Sequence, residues 1–128
     1  MNLLLDTCSL LWASTAPERL SPEATKASNE ANAALYVSAA SMWEICLKHR
    51  LGKLDLPRHP KDFIAWAMAE LDLVALPVLV EAAALEADLP PHHRDPFDRM
   101  LVCQAKHHGL TILTPDKLIS QYGVPCIW

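Results

Sequence analysis

Four carboxylates in this chain stand where a short apolar run gives way to a helix start. Asp6 closes Asn2-Leu3-Leu4-Leu5, and Glu44 falls in the first turns after Ala34-Leu35-Tyr36-Val37. Asp98 opens the segment after Asp95-Pro96-Phe97, and Asp116 comes just past Leu110-Thr111-Ile112-Leu113. Taken singly, each has a plain structural use, because an acid in a first helical turn meets the positive end of the dipole and stabilises it by up to about 1 kcal/mol. Taken together they ask for different chemistry. Acids converging at about 6 Å would repel by roughly 3 kcal/mol per pair at an effective dielectric near 20. Such a pocket must raise some pKa values or hold a cation. With no Cys-x-x-Cys pair and no H-E-x-x-H helix, zinc is disfavoured, and an all-oxygen donor set suits Mg²⁺ or Mn²⁺. A divalent ion held by carboxylates can activate water and offset charge on a phosphodiester during in-line attack.

The elements that must position these acids follow from local grammar. Asn2–Leu5, Ala34–Val37, Val74–Leu76 and Leu110–Leu113 are apolar throughout and predict buried strands, with a last edge strand between Val124 and Trp128. Helices are predicted over Thr7–Ala13, from Ser21-Pro22-Glu23 to about Asn32, from Ser38–Ser41 to Gly52, over 61–72, over Val80–Leu89, and from Asp116 through Tyr122. Ser41 to Glu44 also matches a capping box. The clearest helix runs from Asp95, a good N-cap, through Pro96 at the first position, to Gly109 as C-cap. Phe97, Leu101 and Ala105 step by four along it and form its burial face. The fold class is therefore α/β, a three-layer sandwich with a mostly parallel sheet of four to five strands. Such sheets bind ligands beyond the carboxyl ends of their strands, which is where the four acids lie.

Bulk properties narrow the classes. At 128 residues and 52% hydrophobic, the chain is expected to fold as one domain, 1–128, with a real core. A net charge of −4 gives no general basic character, so a polyanion partner requires a bound cation or a local basic patch. Cys8, Cys46, Cys103 and Cys126 are scattered and read as reduced thiols in a cytoplasmic protein. The region from Val74 to Leu85 is broken by Pro77 and Glu81, so no membrane segment is expected.

Four segments carry a resemblance: Leu3-Leu4-Leu5-Asp6-Thr7; Val37-Ser38 with Ser41-Met42-Trp43-Glu44-Ile45; His93 to Ala105; and Leu113-Thr114-Pro115-Asp116. Together they resemble PIN-domain proteins, and more narrowly the VapC-type ribonuclease toxins of bacterial toxin–antitoxin pairs. The resemblance implies a small α/β sandwich that binds Mg²⁺ or Mn²⁺ and hydrolyses RNA phosphodiester bonds. It carries the acidic constellation over to Asp6, Glu44, Asp98 and Asp116; within it, Asp6 and Asp98 are read as the metal ligands, with Glu44 and Asp116 reaching the metal through water. It also implies a homodimer silenced by a cognate antitoxin protein. Relatives often place histidine and alanine after the Asp-Thr pair, where this chain has Cys8 and Ser9.

Around the acids, Asp95 is read as the cap and Asp98 as the free carboxylate. Thr7 and Thr114 either orient water and phosphate or act as local caps, and Arg99 either contacts RNA or pairs with an acid. Lys48, Arg50 and Lys53 belong to the only basic cluster, which guides RNA or forms a solvated helix end. His92 and His93 invite a metal reading but read first as surface or backbone-bonded loop histidines, and Cys8 reads as filler. Trp12, Trp43 and Trp66 read as mostly core, with contact to an antitoxin or second subunit as the alternative. Two rival functions compete. A phosphoacceptor receiver domain expects paired acids after the first strand and an acceptor Asp ending the third, whereas Asp6 stands alone and Val74–Leu76 runs into Pro77. A non-catalytic PIN-like binding module would keep the fold without needing the acids.

Overall fold

The computed structural model describes residues 1–128. Leu3, Leu4 and Leu5 have no accessible surface, and they place the first strand, β1 (Asn2–Leu5), at the centre of the molecule. The chain continues through α1 (Thr7–Thr15), α2 (Pro22–Asn29), β2 (Ala34–Ser38), α3 (Ala39–Arg50), α4 (Pro60–Glu70) and β3 (Val74–Leu76). It then passes through α5 (Val80–Ala84), α6 (Pro96–His108), β4 (Thr111–Leu113), α7 (Lys117–Ser120) and β5 (Cys126–Ile127). All strand pairs are parallel, in the order β3-β2-β1-β4-β5.

Period-2 alternation sorts the core. Leu4 and Ile112 face one layer with Leu101, Val102 and Ala105 of α6. Leu3, Leu5 and Leu113 face the other, with Leu10, Ala24, Ala27 and Ile45 from α1, α2 and α3. The predicted three-layer α/β sandwich is thus formed, and its sheet is parallel throughout.

The strand order places the site. The chain winds outward from β1 through β2 to β3, then returns to lay β4 on the other side of β1. Winding reverses between β1 and β4, and in open parallel sheets ligands bind at that switch point. Register aligns the carboxyl ends there: Leu5 pairs with Val37 on one side and Leu113 on the other. The order also differs from the 2-1-3-4-5 arrangement of receiver-type folds, which removes that rival.

Several boundaries depart from the sequence expectation. The helix after Ser21 stops at Asn29, short of Asn32. The alanine-rich run is α-helical only over Val80–Ala84 and tightens to a 3₁₀ turn over Leu85–Asp88. The capping-box reading of Ser41 is overturned, because Ser38 is the cap, its Oγ accepting from the Ala40 N–H at 3.0 Å, and Ser41 sits buried inside α3. Trp43 does not take the core reading and is 65% exposed, and Trp12 and Trp66 are only half-buried. No helix is long and apolar enough to cross a membrane.

Candidate active site

The four acids line one cleft of about 460 Å³, together with Thr7, Cys8, Leu11, Lys48, Lys53, Leu54, Asp95 and Pro115. Each arrives by a local rule. Asp6 follows β1 directly and caps α1, its Oδ1 accepting from the Ser9 N–H at 2.7 Å. Its other oxygen, Oδ2, accepts from the Thr114 hydroxyl at 2.5 Å, which ties the end of β1 to the end of β4. The Ser9 hydroxyl strengthens the same junction by donating to the Leu113 carbonyl at 2.8 Å.

Glu44 lies a turn and a half into α3 and points back at β1. Its Oε1 accepts from the Thr7 hydroxyl at 2.5 Å, and its Oε2 pairs with the Lys48 ammonium one turn later. That hydrogen bond raises the Lys48 pKa above its ordinary value. Thr7 and Thr114 are therefore neither free water ligands nor only backbone caps: each fixes one carboxylate.

Asp98 lies at the start of α6. Asp95 caps that helix, its Oδ1 accepting from the N–H groups of Phe97 at 2.8 Å and Asp98 at 3.4 Å, which leaves the Asp98 carboxylate free to face the cleft. Gly109, at φ 68, closes the far end in the left-handed conformation that its missing Cβ permits. Asp116 caps the short α7 through Oδ1, which accepts from the Leu118 N–H at 2.8 Å, while its Oδ2 turns into the cleft.

Electrostatics record the crowding. Burial lifts the Asp6 carboxyl above its ordinary range, against the pull of the Thr114 and Ser9 hydrogen bonds. Burial likewise pushes Asp98 up to about 7, helped by the charges of Asp95, Asp6 and Glu44. Burial and the neighbouring Asp6 charge raise the Cys8 thiol to about 11, so it stays protonated and offers neither a thiolate ligand nor a nucleophile.

These residues suit a hard divalent cation. The donors facing the cleft are carboxylate oxygens, the only ammonium hydrogen-bonded to them belongs to Lys48, and the one cleft thiol keeps its proton. A cation would also offset the burial cost and the repulsion that lift Asp6 and Asp98.

His93 is the residue the sequence did not assign. Its Nε2 lies 2.7 Å from Asp116 Oδ2 and 3.1 Å from Asp98 Oδ2, and the three side chains form a compact donor cluster. The doublet His92-His93 invited a metal reading but did not show which acids it would meet, since Asp116 lies 23 residues away. His92 stays exposed, its ring against that of Tyr122.

Other expectations resolve or shift. Of its two readings Arg99 takes the acid pair: its guanidinium binds Glu86 at 2.6 Å and the Leu89 and Pro90 carbonyls, so it holds the loop before α6 and does not line the cleft. Of the basic residues, Lys48 and Lys53 line the cleft, whereas Arg50 is exposed and outside it.

An all-parallel α/β sandwich with an acidic cleft at its switch point is the class of protein that fold and geometry define. The PIN domain family matches residues 3–125, and the chain belongs to that family. It is 27% identical over 126 residues to the Ribonuclease VapC22 of Mycobacterium tuberculosis, covering 97% of this chain and 94% of that protein. Among solved structures it resembles VapBC2 from Rickettsia felis bound to a DNA fragment from its promoter, with a TM-score of 0.70, 10% identity and coverage of 98% and 96% of the two chains. It also resembles FitAcB from Neisseria gonorrhoeae, with a TM-score of 0.61, 23% identity and coverage of 97% and 95%. At these identities the structural likeness speaks to the fold.

Proposed function

We propose that this chain is a metal-dependent endoribonuclease that hydrolyses RNA phosphodiester bonds and acts as the toxin of a toxin–antitoxin pair. The observation that carries the reading is the convergence of Asp6, Glu44, Asp98 and Asp116 on one cleft at the switch point, with Asp98 lifted to about 7. The ribonuclease name of the mycobacterial relative and the VapBC complexes among its structural neighbours support it.

Asp6 and Asp98 would hold Mg²⁺ or Mn²⁺, with Glu44 and Asp116 contributing directly or through water. When bound, such an ion supplies positive charge against the phosphodiester and makes water a better nucleophile. The protein's own part is positioning. Thr114 and the Ser9 N–H fix the Asp6 carboxylate, and Thr7 and Lys48 fix Glu44 within reach of the same space. Lys53 lines the cleft beside them and supplies a cation for an RNA phosphate.

A protein partner has a surface to meet. Ala39, Ala40, Trp43, Val78, Pro96, Phe97 and Met100 form an apolar cleft of about 490 Å³ on the outer side of α3 and α6. Val80 nearby is 81% exposed. Exposed apolar surface of this kind marks protein contacts, and we assign it to pairing with a second copy, the cognate antitoxin covering the acidic cleft. The four cysteines are all free thiols, which suits a cytoplasmic setting.

The test is cleavage of RNA by purified protein with Mg²⁺ or Mn²⁺, without it, and after EDTA. Cleavage that ignores EDTA would defeat the reading. A non-catalytic binding module would bind neither ion and leave RNA intact.

A further inference from the structure

His93 looks at first like an extra metal ligand, because Nε2 points at two acids of the cleft. Its other nitrogen argues otherwise. The backbone N–H of Asp95 donates to Nδ1 at 3.1 Å. A ring nitrogen that accepts a hydrogen bond carries no proton, so the proton of the neutral ring sits on Nε2. Ligation through Nε2 would move that proton to Nδ1, where it would face the Asp95 N–H, donor against donor.

The surroundings make this arrangement hard to escape. The His93 N–H donates to the Tyr122 hydroxyl at 2.8 Å, and its carbonyl accepts from Arg99 at 3.3 Å. Arg99 also donates to the Tyr122 hydroxyl at 3.1 Å and to the Pro90 carbonyl at 2.8 Å. Backbone and ring are therefore each held at two points, which orients Nδ1 toward the Asp95 N–H and Nε2 toward the two acids.

We propose that His93 is a positioning residue, a fixed Nε2–H donor shared between Asp116 and Asp98, and that it keeps the donor set offered to a cation purely oxygen. This rests on the reading of the cleft as a Mg²⁺ or Mn²⁺ site. His93 aligns the two acids while excluding itself as a nitrogen ligand, and so favours hard cations over those that prefer imidazole. Arg99 and Tyr122 act one step further out, as the frame of the loop.

Imidazole nitrogen NMR on the ¹⁵N-labelled full chain, first without a cation and then with Mg²⁺, tests the assignment directly. The expected spectrum shows the Nε2-protonated neutral form in both conditions. Pulsed EPR of the Mn²⁺-loaded protein should show no nitrogen coupling from an imidazole. Mg²⁺ titration should weaken about ten- to a hundredfold in His93→Phe, as for lost partners of metal-binding acids, and recover mostly in His93→Gln, whose amide N–H can stand in for Nε2–H. Loss of the Nε2 proton on adding Mg²⁺, or nitrogen coupling to Mn²⁺, would overturn the proposal, as would unchanged affinity in His93→Phe. Oxygen-only binding with an intact Nε2–H in a protein that leaves RNA uncut would defeat the ribonuclease reading and leave this assignment standing.

Discussion

On one side of the cleft, Asp6 and Glu44 are each 4% exposed, and all four of their oxygens are taken up by Ser9, Thr114, Thr7 and Lys48. On the other side, the Asp98 and Asp116 side chains are 18% and 31% exposed, and inside the cleft they share one imidazole. The first pair is preorganised by strand ends and helix starts, and a cation would add little to its geometry. Burial lifts both Asp6 and Asp98, but hydrogen bonds from Thr114 and Ser9 oppose the rise at Asp6, whereas at Asp98 the neighbouring Asp95, Asp6 and Glu44 charges add to it and carry its carboxyl to about 7. A binding site gains most free energy from relieving such repulsion, so the cation's effect should fall mainly on the Asp98 side.

The comparison can be broken most sharply by Asp98→Asn. RNA cleavage should fall by about 10²–10³-fold, the scale of losing one strong electrostatic contact to a reacting centre. Single-turnover cleavage at saturating Mg²⁺ measures it, and near-normal rates would show that the unpinned half is dispensable.

Next in size is the cation's own stabilisation. Mg²⁺ at a hundred times its dissociation constant should stabilise the wild type by about 2.7 kcal/mol, read as a rise in Tm that EDTA reverses. The same addition to Asp98→Asn should give a much smaller rise.

The pH dependence without cation sharpens the same point. The folded-state pKa of Asp98, about 7, lies above its ordinary 3.8, so the native state holds a proton that the unfolded chain has released. Its contribution to stability is fully present below pH 4 and is lost as pH rises through 7. At pH 8 the cation-free Asp98→Asn protein should therefore be more stable than wild type, by about one to a few kcal/mol. Denaturant melts at pH 5 and pH 8 measure this, and a gap that fails to widen with pH would contradict it.

On the pinned side the effect should be on stability. Thr114→Val strips Asp6 of its shortest hydrogen bond and should cost at least about 1–3 kcal/mol, the usual penalty for leaving a buried acceptor unsatisfied. Smallest of all, Lys53→Ala should weaken RNA binding and lower the salt slope by about one, as removal of a single phosphate contact does. Arg50→Ala should leave both unchanged, since Arg50 stands outside the cleft.

Much of this molecule is written locally. Asp95-Pro96 and Gly109 bracket α6 through capping rules that operate within a few residues, and the apolar runs mark the strands for the same reason. The four acids were visible because each sits beside such a boundary, and the strand order then brings them to one cleft. His93 was not legible because its role depends on Asp116 and Tyr122, far along the chain. Arg99 was legible as an acid's partner but the acid was not, because Glu86 lies on a turn read as regular helix. Trp43 stayed ambiguous for another reason: its apolar character fits a core or an interface equally, and only the packing of α3 against α6 decides that it faces outward.

The burial of β1 has a consequence in time. Asp6 is fastened to a strand whose three leucines have no exposed surface, so Asp6 should leave its place only when that central strand unfolds. His93 rides on a loop outside the sheet, and its loop contacts can open alone. Amide exchange at Leu4 and Leu5 should therefore follow global unfolding, while exchange at His93 should follow a faster, local opening. The cleft is assembled from parts with two different lifetimes.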